Sequence, residues 1–171
     1  IQKSLKQGEA DENRLQEYID VVNEEVERLN KIVVDFLFAV RPMDVELQDG
    51  DVNRVIRDLL GFVRFELQEH GIEVAEDLDE ELPTVEIDEK YLKQALMNIV
   101  KNAMSAMPQG GTLRISTVSR GDEVEIRLSD IGLGMSEDVL QKIFEPYFTT
   151  RDFGSGIGLT LVYKVVKEHR G

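Results

Sequence analysis

From Leu15 the apolar positions step through Ile19, Val22, Val26, Leu29, Val33, Phe36 and Val40 at intervals that alternate between four and three. That spacing is a heptad seam, the pattern of a helix packed along one stripe against another helix. Charged residues such as Glu17, Asp20, Glu24, Glu27, Arg28 and Lys31 fill the other faces, and Pro42, which has no amide N–H to give, stops the helix just past the seam. An ordinary core-facing helix is the alternative. A seam sustained this long favours a coiled-coil or four-helix-bundle contact, and so a homodimer through helix 15–40. The preceding IQKSLKQGEADEN reads as the tail of an earlier helix and a polar turn around Gly8, which makes 1–41 a partial helical hairpin.

After Pro42 the period changes. DVELQ (44–48) alternates like a short strand, and Asp51 then caps a helix whose apolar positions Val55, Leu59, Phe62 and Phe65 face one side. IEVAEDL reads as a second strand and PTVEI as a third. Asp88 caps a long helix to about Met107 that turns Leu92, Leu96, Ile99, Val100 and Ala103 inward. PQGG leads into TLRISTVSR and, across Gly121-Asp122, into EVEIRLSD, two alternating strands that read as a hairpin. A long loop follows, and a last helix starts near Gly158. Residues 42–171 therefore predict an α+β sandwich, a mixed sheet with helices on one face.

Composition narrows the choice of partner. The chain has 171 residues, 42% of them hydrophobic, enough for one core and an appendage. A formal net charge of −14 argues against nucleic acid or an anionic membrane as main partner. A nucleotide triphosphate stays compatible with it if Mg²⁺ and backbone N–H groups carry the local electrostatics. The absence of Cys excludes disulfides and thiol catalysis, no apolar run is long enough to span a membrane, and no signal peptide is visible. The opening Ile reads as the start of a fragment of something longer.

Three polar or glycine-rich islands interrupt the apolar elements. In FGSGIGLTLV the glycines 154, 156 and 158 run into an apolar helical pattern. Glycine permits close backbone approach, and a helix N-terminus offers unpaired N–H groups, so the fitting guest is a phosphate. The spacing matches neither the dinucleotide fingerprint nor a P-loop, which needs Lys and Ser/Thr directly after its last glycine. A flexible surface loop is the plain alternative. In NIVKNAMSAM, Asn98 and Asn102 are four apart and share one helical face. Amides there either satisfy each other and the backbone or complete the oxygen shell of a Mg²⁺ ion that also holds substrate phosphates. In SDIGLGM, Asp130 ends a strand, followed at once by Gly132 and Gly134. It either caps a turn or accepts the exocyclic N–H of adenine while the glycines let a flat ring lie against the chain.

Order and spacing join the islands. NIVKNAMSAM, DIGLGM, IFEPYFTT and GSGIGL resemble, in sequence and at ordinary separations, the N, G1, F and G2 boxes of the GHKL ATP-binding fold. The F box and the short lid TTRDF are similar to those of sensor histidine kinases rather than of DNA gyrase, MutL or the heat-shock chaperones. RLNKIVVDFLFAVRP resembles the second helix of a histidine kinase dimerisation domain, most like the nitrogen-regulation sensors, and the resemblance covers nearly the whole chain from about Leu15. It implies a GHKL (Bergerat-type) sandwich preceded by a long dimerisation helix, with ATP and Mg²⁺ as cofactors. It implies Asn98 and Asn102 as N-box amides, with Asn102 as the metal ligand, Asp130 reading the adenine amino group, and Gly132 and Gly134 shaping the base pocket. Phe144 and Phe148 would anchor the lid, and Thr149, Thr150 and Arg151 would meet the phosphates. Gly154, Ser155, Gly156, Ile157, Gly158 and Leu159 would present backbone to the triphosphate.

Two departures stand out: Ile131 occupies a position where the family often has Asn, and the family usually continues past EHRG into further strands. The phosphoacceptor histidine of the H box is expected upstream of Ile1. The two histidines present, His70 and His169, read as C-terminal helix residues whose positive charge suits the helix dipole. The resemblance thus implies the catalytic fragment of a protein histidine kinase, not competent to phosphorylate itself, that passes a γ-phosphoryl to a bundle histidine for a response regulator receiver domain. No nucleic acid and no membrane contact by this segment are expected, and the location is cytoplasmic, with anchoring of the parent left open. The alternatives are a GHKL clamp-type ATPase, which would want a catalytic Glu in the N box that is missing here, and a non-catalytic dimeric scaffold.

Overall fold

The computed structural model describes residues 43–151 and 154–171 and, in the N-terminal segment, Tyr18, Ile19, Val22, Asn23, Glu25, Val26, Leu29 and Val33. The chain divides into two compact units, Ile1–Val40 and Arg41–Gly171. In the first, all the described positions are helical, and the seam residues Val22, Val26, Leu29 and Val33 are each more than half exposed. Leu15, Phe36, Val40 and Pro42 lie outside the described residues, as does the expected first arm of the hairpin.

In the second unit the elements run β1 (Gln48–Gly50), α1 (Val52–Glu69), β2 (Ile72–Leu78), β3 (Val85–Ile87), α2 (Glu89–Ala106), β4 (Gly111–Arg120), β5 (Glu123–Asp130), α3 (Glu137–Leu140) and α4 (Gly158–Glu168). The larger sheet has the order β2-β4-β5. β2 pairs parallel with β4 from Ile72↔Gly111 to Leu78↔Thr117, and β5 pairs antiparallel from Leu113↔Asp130 to Arg120↔Glu123. β1 and β3 form a separate antiparallel pair. The helices cover one face: β4 sends Leu113, Ile115 and Thr117 into the interior, against Ile56, Leu59, Leu60, Val63 and Leu67 of α1 and Leu96, Val100 and Ala103 of α2.

Two expectations fail. Residues 44–47 are not a strand, although their burial does alternate, with Val45 and Leu47 half-buried between exposed Asp44 and Glu46. The partner runs out: Gln48 pairs with Ile87, and the next residue, Asp88, already caps α2, so Glu46 N–H reaches only the Asp88 carboxylate at 3.2 Å. Phe62 and Phe65 also do not face the core, being 76% and 70% exposed. The buried stripe of α1 is centred on Ile56, Leu59, Leu60 and Val63. Two residues beyond Val63 is about 200° round the helix, which carries Phe65 to the far side.

The caps behave as expected. Asp51 accepts the Arg54 N–H at 3.0 Å, and Asp88 Oδ1 accepts those of Lys90 and Tyr91, each at 3.1 Å. Arg57 lies against both carboxylate oxygens of Glu80, at 2.7 and 2.9 Å, and that hydrogen bond holds its guanidinium above the ordinary range. His169 Nε2 accepts the Asp88 N–H at 2.9 Å, and its Nδ1 lies 2.7 Å from Val165 O. His70, exposed at the C-cap of α1, lies 2.8 Å through Nδ1 from Glu66 O.

Buried Asn53 shows how polar groups are accommodated. Its Nδ2 donates to Asp79 O at 2.7 Å, its Oδ1 accepts from Thr117 Oγ1 at 2.9 Å, and that oxygen accepts the Asp79 N–H at 3.1 Å. Truncation orphans a buried hydroxyl and a carbonyl together. Asn53→Ala is therefore expected to lower unfolding stability by about 1–3 kcal/mol, read as a shifted urea midpoint at unchanged slope.

Candidate functional site

Helix α2 is the floor of the site. Its C-terminal end meets the turn after β5: Leu133 N–H donates to Ala106 O at 3.0 Å, and a Cβ on Gly132 would stand 2.6 Å from that oxygen and 2.7 Å from the Ala106 methyl. Only glycine lets the chain pass so close to the helix. Asp130 Oδ1 accepts the Gly132 N–H at 2.9 Å, an Asx-type turn that fixes one carboxylate oxygen and leaves the exposed group the other to offer. Gly134 follows at φ +69°, and Ile131, 71% exposed, packs beside Gly111 rather than making a polar contact.

One to two turns earlier, α2 meets the start of α4. Asn98 Nδ2 donates to Gly158 O at 3.4 Å, and a Cβ at residue 158 would already touch the Asn98 amide carbon at 3.9 Å. Asn102 is half-buried, and its side-chain amide makes no hydrogen bond among the described residues. Its backbone carbonyl accepts Arg151 Nη2 at 3.1 Å. α4 begins after Ile157 with no side-chain cap, so its first-turn N–H groups lack the partners that a capping residue supplies. From Asn98 to Ala106 is about 12 Å along the helix axis, so a carboxylate-bearing turn and an uncapped helix start lie at two places on one rigid rod.

The segment between α3 and α4 closes the site. Thr149 Oγ1 accepts the Arg151 N–H at 3.1 Å, Gly154 N–H donates to Arg151 O at 3.2 Å, and a Cβ on Gly154 would collide with Thr149 Oγ1. Thr160 Oγ1 donates to Phe144 O at 3.2 Å, and the Phe144 ring lies 5.4 Å from that of Tyr163 on α4. Phe148 is half-buried, with its N–H on Glu145 O at 3.2 Å. One hydrogen bond thus ties Asn98 to Gly158, a second ties Arg151 to the Asn102 carbonyl, and a third ties Gly132 to Asp130. Thr150 and Ser155 make no side-chain hydrogen bond among the described residues, Leu159 is half-buried, and Asp152 and Phe153 of the lid lie outside them. Sequence reasoning missed Ala106, whose carbonyl moors the Asp130 turn. Its small side chain opposite a glycine was the available signal.

The described residues contain no cluster of three or more His, Cys, Asp or Glu that could cage a metal. The donors fit a different arrangement: the uncommitted Asn102 amide can give one neutral oxygen to a Mg²⁺ ion whose other ligands are phosphate and water.

Residues 87–171 match the family described as histidine kinase-, DNA gyrase B-, and HSP90-like ATPase. Relatives that match over most of the chain include the sensor histidine kinase ZraS of Escherichia coli (strain K12), 34% identical over 151 residues, which are 88% of this chain and 32% of that protein. Sporulation kinase E of Bacillus subtilis (strain 168) is 32% identical over 155 residues, which are 90% of this chain and 21% of that protein. Full-length ShkA, crystallised in complex with AMPPNP, superposes with a TM-score of 0.77 at 25% identity, over 89% of this chain and 33% of that one. Histidine kinase ThkA, in complex with the response regulator protein TrrA, gives a TM-score of 0.76 at 27% identity over 92% of this chain and 45% of that one. The chain spans about a fifth of sporulation kinase E.

Proposed function

We propose that this chain is the catalytic part of a sensor histidine kinase: it binds Mg-ATP along α2 and passes the γ-phosphoryl to a histidine of the dimerisation bundle, from which a response regulator receiver aspartate takes it. The observation that carries this reading is the spacing on α2, where a turn with a free carboxylate oxygen and an uncapped helix N-terminus flank two amides on one face. Asp130 accepts the adenine amino group, Gly132 and Gly134 let the ring lie flat, and Asn102, beside Asn98, holds Mg²⁺. Thr149, Thr150 and Arg151 meet the phosphates from the lid, and the backbone from Gly154 through Ser155, Gly156, Ile157 and Gly158 to Leu159 cradles them. Arg151 brings a positive charge to the place where γ-phosphate charge is redistributed during transfer. The AMPPNP complex of ShkA and the response regulator complex of ThkA support the choice of nucleotide and partner.

The segment 1–41 supplies the second helix of a homodimeric bundle. Leu29→Glu, which puts a charge into the seam, is expected to shift sedimentation from dimer to monomer. Among the described residues no helix is long and apolar enough to cross a membrane, and a cytoplasmic location is part of the proposal.

Neither histidine is assigned as phosphoacceptor: each ends a helix of the second unit, with His70 Nδ1 2.8 Å from Glu66 O, His169 Nδ1 2.7 Å from Val165 O and His169 Nε2 on the Asp88 N–H. The native chain incubated with γ-labelled ATP should acquire no acid-labile, alkali-stable label, whereas an added bundle segment bearing an H-box histidine should. Label on this chain that is lost in His70→Gln or His169→Gln would overturn the assignment. Phosphate release without any phosphoprotein would make it an ATPase instead.

A further inference from the structure

Among the described residues two other than glycine have positive φ: Arg170 at +64° and Tyr147 at +68°. Arg170 lies just past the C-cap of α4, where left-handed residues are common. Tyr147 is the third residue of the turn Glu145–Phe148, with Pro146 second and Phe148 N–H on Glu145 O at 3.2 Å; such a turn requires φ > 0 at this position, usually from Gly or Asn, and a bulky aromatic residue takes it only at a conformational cost. What faces it is Gly156, also left-handed at +68°. Tyr147 N–H donates to Gly156 O at 3.0 Å, and a Cβ on Gly156 would stand 2.6 Å from Tyr147 O. The two residues form a clasp at the base of the segment 148–155. Within a trans peptide the carbonyl and the following N–H point in opposite directions, so drawing Gly156 O toward Tyr147 turns the Ile157 N–H away from it. Ile157 is buried and is the N-cap of α4, so the clasp sets the direction in which the chain enters that helix.

We infer that Tyr147 is a positioning residue of the phosphate loop and acts through its left-handed backbone rather than its half-exposed ring. This rests on the reading of the α4 N-terminus as a triphosphate site, and it specifies what aligns that site. Backbone control has an unusual signature: residues that accept positive φ should preserve function whatever their side chain, and a β-branched residue should not.

The test is ATP and adenosine affinity, by calorimetry and ligand-observed NMR, for the native chain and for Tyr147→Gly, Tyr147→Asn, Tyr147→Phe and Tyr147→Val. The Gly, Asn and Phe variants are expected to stay within about twofold of native for ATP, and Tyr147→Val to lose roughly 5- to 30-fold. Adenosine, which has no phosphates to meet the loop, should bind all five alike, and Gly156→Ala should reproduce the ATP-selective loss. Loss of ATP binding in the Gly and Asn variants with retention in Phe would assign the role to the ring and overturn the inference. So would an equal loss of adenosine in Tyr147→Val. A native chain that binds adenosine but gains nothing from the triphosphate would instead remove the phosphate-site reading beneath it.

Discussion

Asp130→Asn is expected to weaken ATP binding by about 10- to 150-fold, corresponding to the roughly 1.5–3 kcal/mol of a charge-assisted hydrogen bond. An isosteric amide can ordinarily turn over to offer its oxygen to either neighbour. Here it cannot serve both, because Oδ1 of residue 130 already accepts the Gly132 N–H at 2.9 Å. An Asn that keeps this bond presents its NH₂ to the amino group of adenine, donor against donor. One that flips breaks the turn that is tied through Leu133 to Ala106. Calorimetric titration checks this, and an unchanged ATP affinity would remove Asp130 from the base pocket. Adenosine should be weakened by a similar factor, since the interaction is with the base.

Asn102→Ala should produce the opposite pattern, a large loss for Mg-ATP and little for adenosine. The Asn102 side chain is half-buried and makes no hydrogen bond among the described residues, so its removal leaves no other side chain unsatisfied and the fold should survive. Loss of a group that merely supports a metal ligand costs ~10–100-fold in metal affinity, and a direct ligand should cost no less. Titrations with and without Mg²⁺ separate the roles: the variant should bind ATP about equally in both, while the native chain should need the metal. Arg151 remains hydrogen-bonded to the residue 102 carbonyl in either case, because that bond is made by backbone.

Much of this was legible in the sequence, for identifiable reasons. α2 and the β4–β5 hairpin carry long, regular periods bounded by a capping Asp88 and the Gly121-Asp122 turn, signals that tertiary packing did not contradict. The path of α1 was less determined, because Val55, Leu59 and Phe62 share one helical spacing while Ile56, Leu60, Val63 and Leu67 share a neighbouring one. Both rows are buried as far as Leu59 and Leu60, and beyond them the core follows Val63 and Leu67 and leaves Phe62 exposed. The candidate site residues stand out in the sequence as boxes in order, yet their couplings do not. Asp130 and Gly132 announce a turn, but nothing local says that the turn moors on Ala106. The partner of His169 Nε2 is a backbone N–H 81 residues away. The left-handed tyrosine left only an indirect mark, the preceding Pro146, which suits the second position of a turn whose third residue is left-handed but usually Gly or Asn.

The central claim is that the base lies at the Asp130 turn and the triphosphate at the start of α4, along one face of α2. Backbone amide NMR of the native chain titrated with Mg-ATP tests this most directly. Large shifts are expected at Gly132 and Gly134, at Asn98 and Asn102, and from Gly156 to Leu159, with adenosine moving only the first pair. Shifts confined to other surfaces, or none at millimolar Mg-ATP, would contradict the claim.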